Sequence, residues 1–233
     1  MPFDLSRQLA AIPPPSGHPT TSQKRQYSDD LSRVFSLALE ASMGTHFPHT
    51  TSGEGTGTNA ASASGIKSID VAFNIEGLFL GLGLSVKVVG LPEKNRGYTH
   101  NLKRVSEEWN LETVNYHRYM PYSIIVGMFF LPVDAMTDRK QKTSLSTSLD
   151  HFRGFRGRRD HRDDIDLMEE IYIGLYNPSG RKAGDVFFVG ADLALGPRGI
   201  PRKADRKSFE DVKNELVRDF KLRNPKLQVR GMP

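Results

Sequence analysis

The sequence has no cysteine among its 233 residues, which excludes disulfide bonds and thiolate metal sites. It also lacks any apolar run of the ~18 residues that a membrane-spanning helix requires. Its N-terminal stretch does not contain the apolar core of a signal peptide. From these absences we expect a soluble, cytoplasmic protein that has no membrane partner.

Hydrophobic residues are also scarce, at 37% of the chain, so part of it is expected to lie outside a packed core. Residues 1–27 are rich in proline, serine and threonine and predict a disordered or loosely packed arm. Residues 50–65, TTSGEGTGTNAASASG, predict a flexible loop near residues 44–65. Residues 28–233 are expected to form one domain. The net charge of +5 gives a weak preference for an anionic partner.

Hydrophobic periodicity predicts the elements of that domain. A helix is expected to begin at an N-cap, Ser28, and to end at Gly44. Two alternating strands follow over residues 69–75 and 78–88, with Glu76-Gly77 as a tight turn. A helix over about residues 101–120, a continuous apolar strand over residues 122–132, two further strands and a C-terminal helix complete the order. This order predicts an α/β or α+β fold with a mixed central sheet flanked by helices.

The apolar segment IDVAFNIEGLFLGLGLSVKVVG, residues 69–90, carries an acid near its start and a lysine near its end. Because strand side chains alternate between faces, Ser85 and Lys87 share one face. A two-residue turn would place Asp70 opposite Gly83, on the same face as Gly81, Ser85 and Lys87. Asp70 would then lie roughly 13 Å along the strand from Lys87. A register slid by two residues would bring them nearer and keep the shared face.

The order of a helix glutamate, a strand aspartate and a strand that ends in Ser-x-Lys resembles the PD-(D/E)XK nuclease superfamily. Asp70 in SID corresponds to the first acid, Ser85 and Lys87 in SVK stand at (D/E)XK, and Glu40 corresponds to the helix acid. The flanking segments also resemble bacterial restriction endonucleases: GIKSIDVAF, LGLGLSVKVVG, YTHNLKR and YHRYMPYSIIVGMFFLP. The resemblance covers about residues 28–190 and implies a restriction-endonuclease-like core.

The resemblance implies an endonuclease that hydrolyses phosphodiester bonds in DNA with Mg²⁺, or with Mn²⁺ in its place. Asp70, Glu40 and the backbone carbonyl of Val86 would hold the metal. Lys87 would position or deprotonate the attacking water, or stabilise the charge on the phosphate.

The sequence departs from the family motif at two positions, where Ile69 replaces the usual proline and Ser85 replaces the second acid. A serine hydroxyl is a poor Mg²⁺ ligand compared with a carboxylate. The missing negative charge would therefore come from elsewhere in the chain. Glu40 is the leading substitute, and three glutamates of the following helix are the others: Glu107, Glu108 and Glu112.

Basic residues mark two expected contacts with DNA. Lys67 lies three residues before Asp70 and is a candidate phosphate contact. The second group combines phosphate-binding arginines with stacking phenylalanines: Arg153, Arg156, Arg158 and Arg159 with Phe152 and Phe155. The competing interpretation of this segment is a solvated loop, because several aspartates dilute its charge.

Two other interpretations remain open. The serine at position 85 is compatible with a catalytically inactive relative that binds DNA or another protein. The predicted hairpin could instead be purely structural, with Asp70 paired at a sheet edge and Lys87 extended to solvent. A nuclease that cuts both strands would commonly act as a homodimer. His117, at the end of an apolar helix face, is expected to be a structural histidine.

Overall fold

A computed structural model describes residues 3–75 and 79–226 of the chain. The helices are α1 (Leu5–Ala10), α2 (Thr21–Met43), α3 (Leu102–Tyr119), α4 (Ser144–Phe152) and α5 (Phe209–Arg223). The strands are β1 (Thr58–Ser62), β2 (Gly65–Ile69), β3 (Val71–Asn74), β4 (Leu80–Val88), β5 (Ile124–Pro132), β6 (Glu170–Tyr176) and β7 (Val186–Gly190). The predicted α/β class is confirmed.

Five strands form one mixed sheet in the order β3-β4-β5-β6-β7. Strands β4, β5 and β6 run parallel, while β3 and β7 pair antiparallel with the strands beside them. The side chains of α2 and α5 pack on one face of this sheet, and those of α3 and α4 pack on the other. The fully buried central strand β5 is the continuous apolar run that the sequence predicts.

The segment predicted as an N-terminal arm is helical over much of its described length, in α1 and in the first turns of α2. Helix α2 begins at Thr21, seven residues before the predicted cap, because Thr20 and Gln23 form a reciprocal capping box. Leu9 of α1 and Tyr27 of α2 are buried in the core on the face of the sheet that α2 and α5 cover. The arm is therefore a packed part of the domain from Phe3 onward.

The predicted flexible loop is also wrong in its second half, which forms a separate two-stranded ribbon from β1 and β2. The ribbon is held by backbone pairing between Thr58–Ser62 and Gly65–Ile69. In the turn between β1 and β2, the Ala63 N–H donates to the Asn115 carbonyl of α3 at 2.9 Å. Backbone hydrogen bonds order the small polar residues of the ribbon, and Ala60 and Ile69 bury its apolar side chains in the same cluster as α3.

The pairing of β3 with β4 is shifted by two residues from the predicted register. Val71 lies opposite Leu84 and Ala72 opposite Gly83, so continuing the register places Asp70 beside Ser85. A bulge follows Phe73, and Gly81 consequently faces Phe220 of α5 instead of sharing the face of Asp70. The predicted tight turn at Glu76-Gly77 lies outside the described residues.

Among residues 3–75 and 79–226, the structure contains no helix with the length and apolar character needed to span a bilayer.

Candidate functional site

Asp70 occupies the short junction between the ribbon and the central sheet. Its Oδ2 accepts a hydrogen bond from the Val86 N–H at 2.6 Å, which fixes the carboxylate beside β4. The N–H and C=O of one strand residue point to the same side of the strand, so the Val86 carbonyl points to the edge of β4 that faces β3. The shared face of Asp70, Ser85 and Lys87 is confirmed.

Helix α3 lies across this face and brings further polar groups to it. The Trp109 Nε1–H donates to the Ser85 hydroxyl at 3.1 Å, and both side chains are buried. The indole fits because position 127 of the neighbouring strand is glycine, where an added Cβ would lie 2.9 Å from the ring. The face is therefore a second packed core.

Two glutamates of α3 contact the lysine of the motif. Lys87 Nζ lies 3.1 Å from Glu108 Oε2 and 3.8 Å from Glu112 Oε1. The second oxygen of Glu112, Oε2, is buried and has no hydrogen-bond partner among the described residues. The structure thus places two half-buried carboxylates, those of Asp70 and Glu112, beside Ser85 and Lys87.

Burial dominates the electrostatics of the two acids. It raises the pKa of Asp70 above its usual value, although the Val86 N–H, the Lys87 charge and the Ser85 hydroxyl oppose the shift. Burial likewise raises the pKa of Glu112 against the opposing Lys87 charge and Ser85 hydroxyl, and repulsion from Asp70 and Glu108 adds to the rise. Each carboxylate therefore lacks part of the stabilisation that a full set of donors or a cation would give it.

Lys87 responds in the opposite sense to the same surroundings. Burial alone would lower its pKa, but the negative charges of Glu112, Asp70 and Glu108 outweigh burial and raise the pKa above its usual value. The amine is thus held as an ammonium ion, and it can donate hydrogen bonds but cannot accept a proton at neutral pH.

Glu40 is placed at a different contact from the one the family resemblance implies. Its Oε2 accepts hydrogen bonds from the Ser52 N–H at 2.9 Å and from the Ser52 hydroxyl. The adjacent Thr51 pairs through its backbone with Ala72 at the start of β3. Glu40 therefore ties the loop after α2 to the sheet, and its hydrogen bonds in the described structure do not reach Asp70 or Lys87.

The arginine segment differs from the expected row of phosphate contacts. Arg158 is buried, with Nη1 donating to Glu169 Oε1 at 2.9 Å, so no phosphate can reach it in this arrangement. Arg156 is also mostly buried and binds Glu170 with two nitrogens, Nε at 2.8 Å and Nη2 at 2.7 Å. These two arginines are not free to bind phosphate because they neutralise two acids buried at the start of β6.

The remaining basic residues of the expected DNA contacts lie at the surface. The side chain of Arg159 is 60% exposed, although it also contacts Glu170, and that of Arg153 is 44% exposed and pairs with Asp150. Lys67 is exposed on β2, the strand that leads directly into Asp70. These three residues are available to a polyanion, and Arg156 and Arg158 are not.

Glu169 is the centre of a buried ionic network. Its Oε1 accepts from Arg158 and, at 3.0 Å, from Arg223 of α5, while its Oε2 accepts from the Ile125 N–H at 2.7 Å. His117 lies 3.3 Å from the same carboxylate and contacts the Ile165 carbonyl through Nδ1 at 3.1 Å. The prediction that His117 is structural is confirmed.

Glu112 is the site residue that the motif alone does not select. The available signal was its spacing, because Glu108 and Glu112 lie four residues apart and next to the apolar stripe that contains Trp109. Within residues 3–75 and 79–226, no three histidine, aspartate or glutamate side chains are close enough to enclose a metal ion together. Three carboxylates lie near Lys87, those of Asp70, Glu108 and Glu112, but they do not form a complete cage.

The chain was compared with protein-family models, with curated proteins and with solved structures, and none of the three comparisons found a match.

Asp70→Asn is expected to leave the thermal midpoint of the metal-free protein unchanged or to raise it. The fold raises the pKa of this carboxyl, so its ionisation at neutral pH lowers the stability of the folded protein. The neutral amide removes that cost. The amide oxygen can still accept from the Val86 N–H. Thermal unfolding with a chelator present tests this, with Glu169→Gln as a matched control that should lower the midpoint. A clear loss of stability in Asp70→Asn would indicate a structural ion pair instead.

Glu169→Gln is expected to lower the free energy of unfolding at neutral pH by about 3–5 kcal/mol, since it leaves buried arginines without their anion. Burial would raise the Glu169 pKa, but His117, the Ile125 N–H and Arg223 together lower it below the usual value. The stabilisation is therefore complete above the unfolded-state pKa of about 4.3 and is lost as pH falls through the lower folded-state pKa. Urea unfolding of both proteins over a pH series should show their difference shrinking in acid. A difference that does not depend on pH would contradict this account.

Proposed function

We propose that the protein is a divalent-metal-dependent DNA endonuclease with a PD-(D/E)XK type of site on a restriction-endonuclease-like core. The observation that carries this proposal is the pairing of two desolvated carboxylates, Asp70 and Glu112, next to Lys87 and the Val86 carbonyl. Glu112 takes the place of the acid that Ser85 lacks. Ser85 would serve as an anchor for Trp109 and not as a metal ligand.

The donor set suits Mg²⁺ or Mn²⁺. Mg²⁺ is usually held by one or two carboxylates and keeps several waters or substrate oxygens, so a pair of acids and one carbonyl is sufficient. The unpartnered Glu112 Oε2 and the raised pKa values of both carboxyls support this fit, because a cation would satisfy the buried oxygen and favour the charged forms. Glu40 would act as a structural residue, which replaces its expected role as a metal ligand.

The remaining chemistry can be assigned to residues of the chain. Hydrolysis would form a bond from a water oxygen to phosphorus and break the bond from phosphorus to the leaving sugar oxygen. The proton that the water loses would pass to the surrounding solvent, and the leaving oxygen would take a proton from solvent. When bound, the metal supplies Lewis-acid stabilisation of the phosphate charge and a more acidic water. Lys87, kept protonated by its acidic neighbours, would donate hydrogen bonds to the phosphate or orient the water, and would not serve as the base.

DNA would reach the site past the ribbon formed by β1 and β2. Lys67 is exposed on β2, three residues before Asp70. A phosphate bound to Lys67 would therefore lie near the Asp70 carboxylate. Arg153 and Arg159 would add phosphate contacts from the segment before β6. Cleavage of both strands at one place would need two copies of the chain, as a homodimer.

Plasmid cleavage with Mg²⁺ or Mn²⁺ tests the proposal. Wild type is expected to nick or cut DNA only when a metal is present, and Lys87→Ala is expected to lower the rate by roughly 10²-fold or more because a charged donor at the phosphate is lost. Lys207→Ala is the matched control. Lys207 is also part-buried and pairs with a glutamate, Glu215 at 2.7 Å, but α5 carries that partner on the opposite face of the sheet.

Cleavage that survives Lys87→Ala would contradict the assignment of this site. Absence of cleavage by wild type with either metal, together with retained DNA binding in a gel-shift assay, would instead support the inactive DNA-binding relative that the serine at position 85 allows.

A further inference from the structure

Three buried polar atoms on helix α3 lack hydrogen-bond partners in the part of the chain that the structure describes: Glu112 Oε2, the Tyr116 hydroxyl and His117 Nε2. The first two lie one helical turn apart. Glu112 Oε2 and the Tyr116 hydroxyl are both inaccessible to solvent, and neither has a hydrogen-bond partner among residues 3–75 and 79–226. Residues four positions apart on a helix occupy the same face. Buried polar groups in native proteins are almost always paired, so two neighbouring exceptions indicate a group that completes them.

Tyr116 lies close enough to the acids to feel both of their charges. Burial raises the pKa of its phenol, and the negative charges of Glu112 and Asp70 raise it further. The side chain is only 1% exposed and packs in the same core cluster as Trp109. The hydroxyl therefore remains protonated, and it is a buried hydrogen-bond donor close to both acids.

The opposite face of the sheet shows what the same two residue types do when their contact is complete. There the Tyr172 hydroxyl donates to Glu215 Oε2 at 2.7 Å, and Lys207 Nζ contacts the same carboxylate oxygen at 2.7 Å. Lysine, glutamate and tyrosine are closed into one set of contacts. Around Lys87 the same three residue types are present, but no hydrogen bond joins the Tyr116 hydroxyl to Glu112.

We propose that Tyr116 is a positioning residue for the metal site, donating a hydrogen bond to the Glu112 carboxylate when that carboxylate takes up a divalent cation. This inference rests on the proposed function, because it needs Glu112 to be a metal ligand. A carboxylate oxygen has two lone pairs, so Glu112 Oε2 can bind a cation and still accept a hydrogen bond from the hydroxyl, and such outer contacts orient the ligand. The hydroxyl acts through Glu112 and does not itself touch the cation or the DNA.

The test is Mn²⁺ binding to the full chain, followed by electron paramagnetic resonance, with Tyr116→Phe compared with wild type. Removing the hydroxyl is expected to weaken binding by about 10–100-fold, the usual effect of losing an outer contact of a metal ligand. Tyr176→Phe is the matched control, since Tyr176 is a buried tyrosine in the core cluster on the other face of the sheet, and its binding should equal that of wild type.

A second comparison separates positioning from a general structural role. In a Glu112→Gln background the further change Tyr116→Phe should have no effect on Mn²⁺ binding, because the carboxylate that it orients is gone. In metal-free protein, Tyr116→Phe should not lower the thermal midpoint, since the hydroxyl that it removes has no partner there.

The outcomes distinguish this inference from the function on which it rests. If wild type binds Mn²⁺ and Glu112→Gln weakens binding, but Tyr116→Phe binds like wild type, the positioning role is overturned and the metal site stands. If wild type and Glu112→Gln bind Mn²⁺ equally weakly, the metal site and the role of Tyr116 both fail.

Discussion

The hydrogen bond from the Trp109 indole to the Ser85 hydroxyl determines where helix α3 lies on strand β4, and the candidate site depends on that placement. The glycine at position 127 leaves room for the indole, and the indole N–H donates to the serine hydroxyl. Once Trp109 is seated, the positions one residue before it and three residues after it face the end of the strand. They carry Glu108 and Glu112, which therefore meet Lys87.

The charges gathered at this place are not balanced for stability alone. Lys87 gains from three nearby acids, whereas burial raises the pKa of Asp70 and Glu112 despite that lysine. The Glu169 network shows the alternative outcome, because there His117 and Arg223 together with a backbone N–H lower the pKa of the buried acid. In that cluster the acid itself has its arginine and backbone partners within the chain. The other leaves carboxylates unsatisfied, which is typical of groups that bind a ligand or act in catalysis.

The sequence predicts most of the fold where periodicity is long. Helix α3, strand β5 and the Ser208–Asp211 capping box of α5 all follow from local patterns. Local patterns fail where backbone pairing or packing decides, as in the ribbon of β1 and β2 and in the bulge near Gly81 that shifts the register. For the same reason Asp70 and Lys87 could be selected from the motif, but the choice of Glu112 over Glu40 required the position of α3. The buried ionic roles of Arg156 and Arg158 depend on acids of β6 that are distant in sequence.

The central claim is that Asp70 and Glu112 together hold a divalent cation beside Lys87, and anomalous X-ray diffraction from crystals soaked in Mn²⁺ tests it most directly. The account predicts one strong anomalous peak within bonding distance of both carboxylates and of the Val86 carbonyl, and loss of that peak in Glu112→Gln. A contradictory result would be the absence of any peak between Asp70 and Glu112 in fully soaked crystals, with Lys87 still bound to both α3 glutamates. That result would make the cluster a structural ion pair.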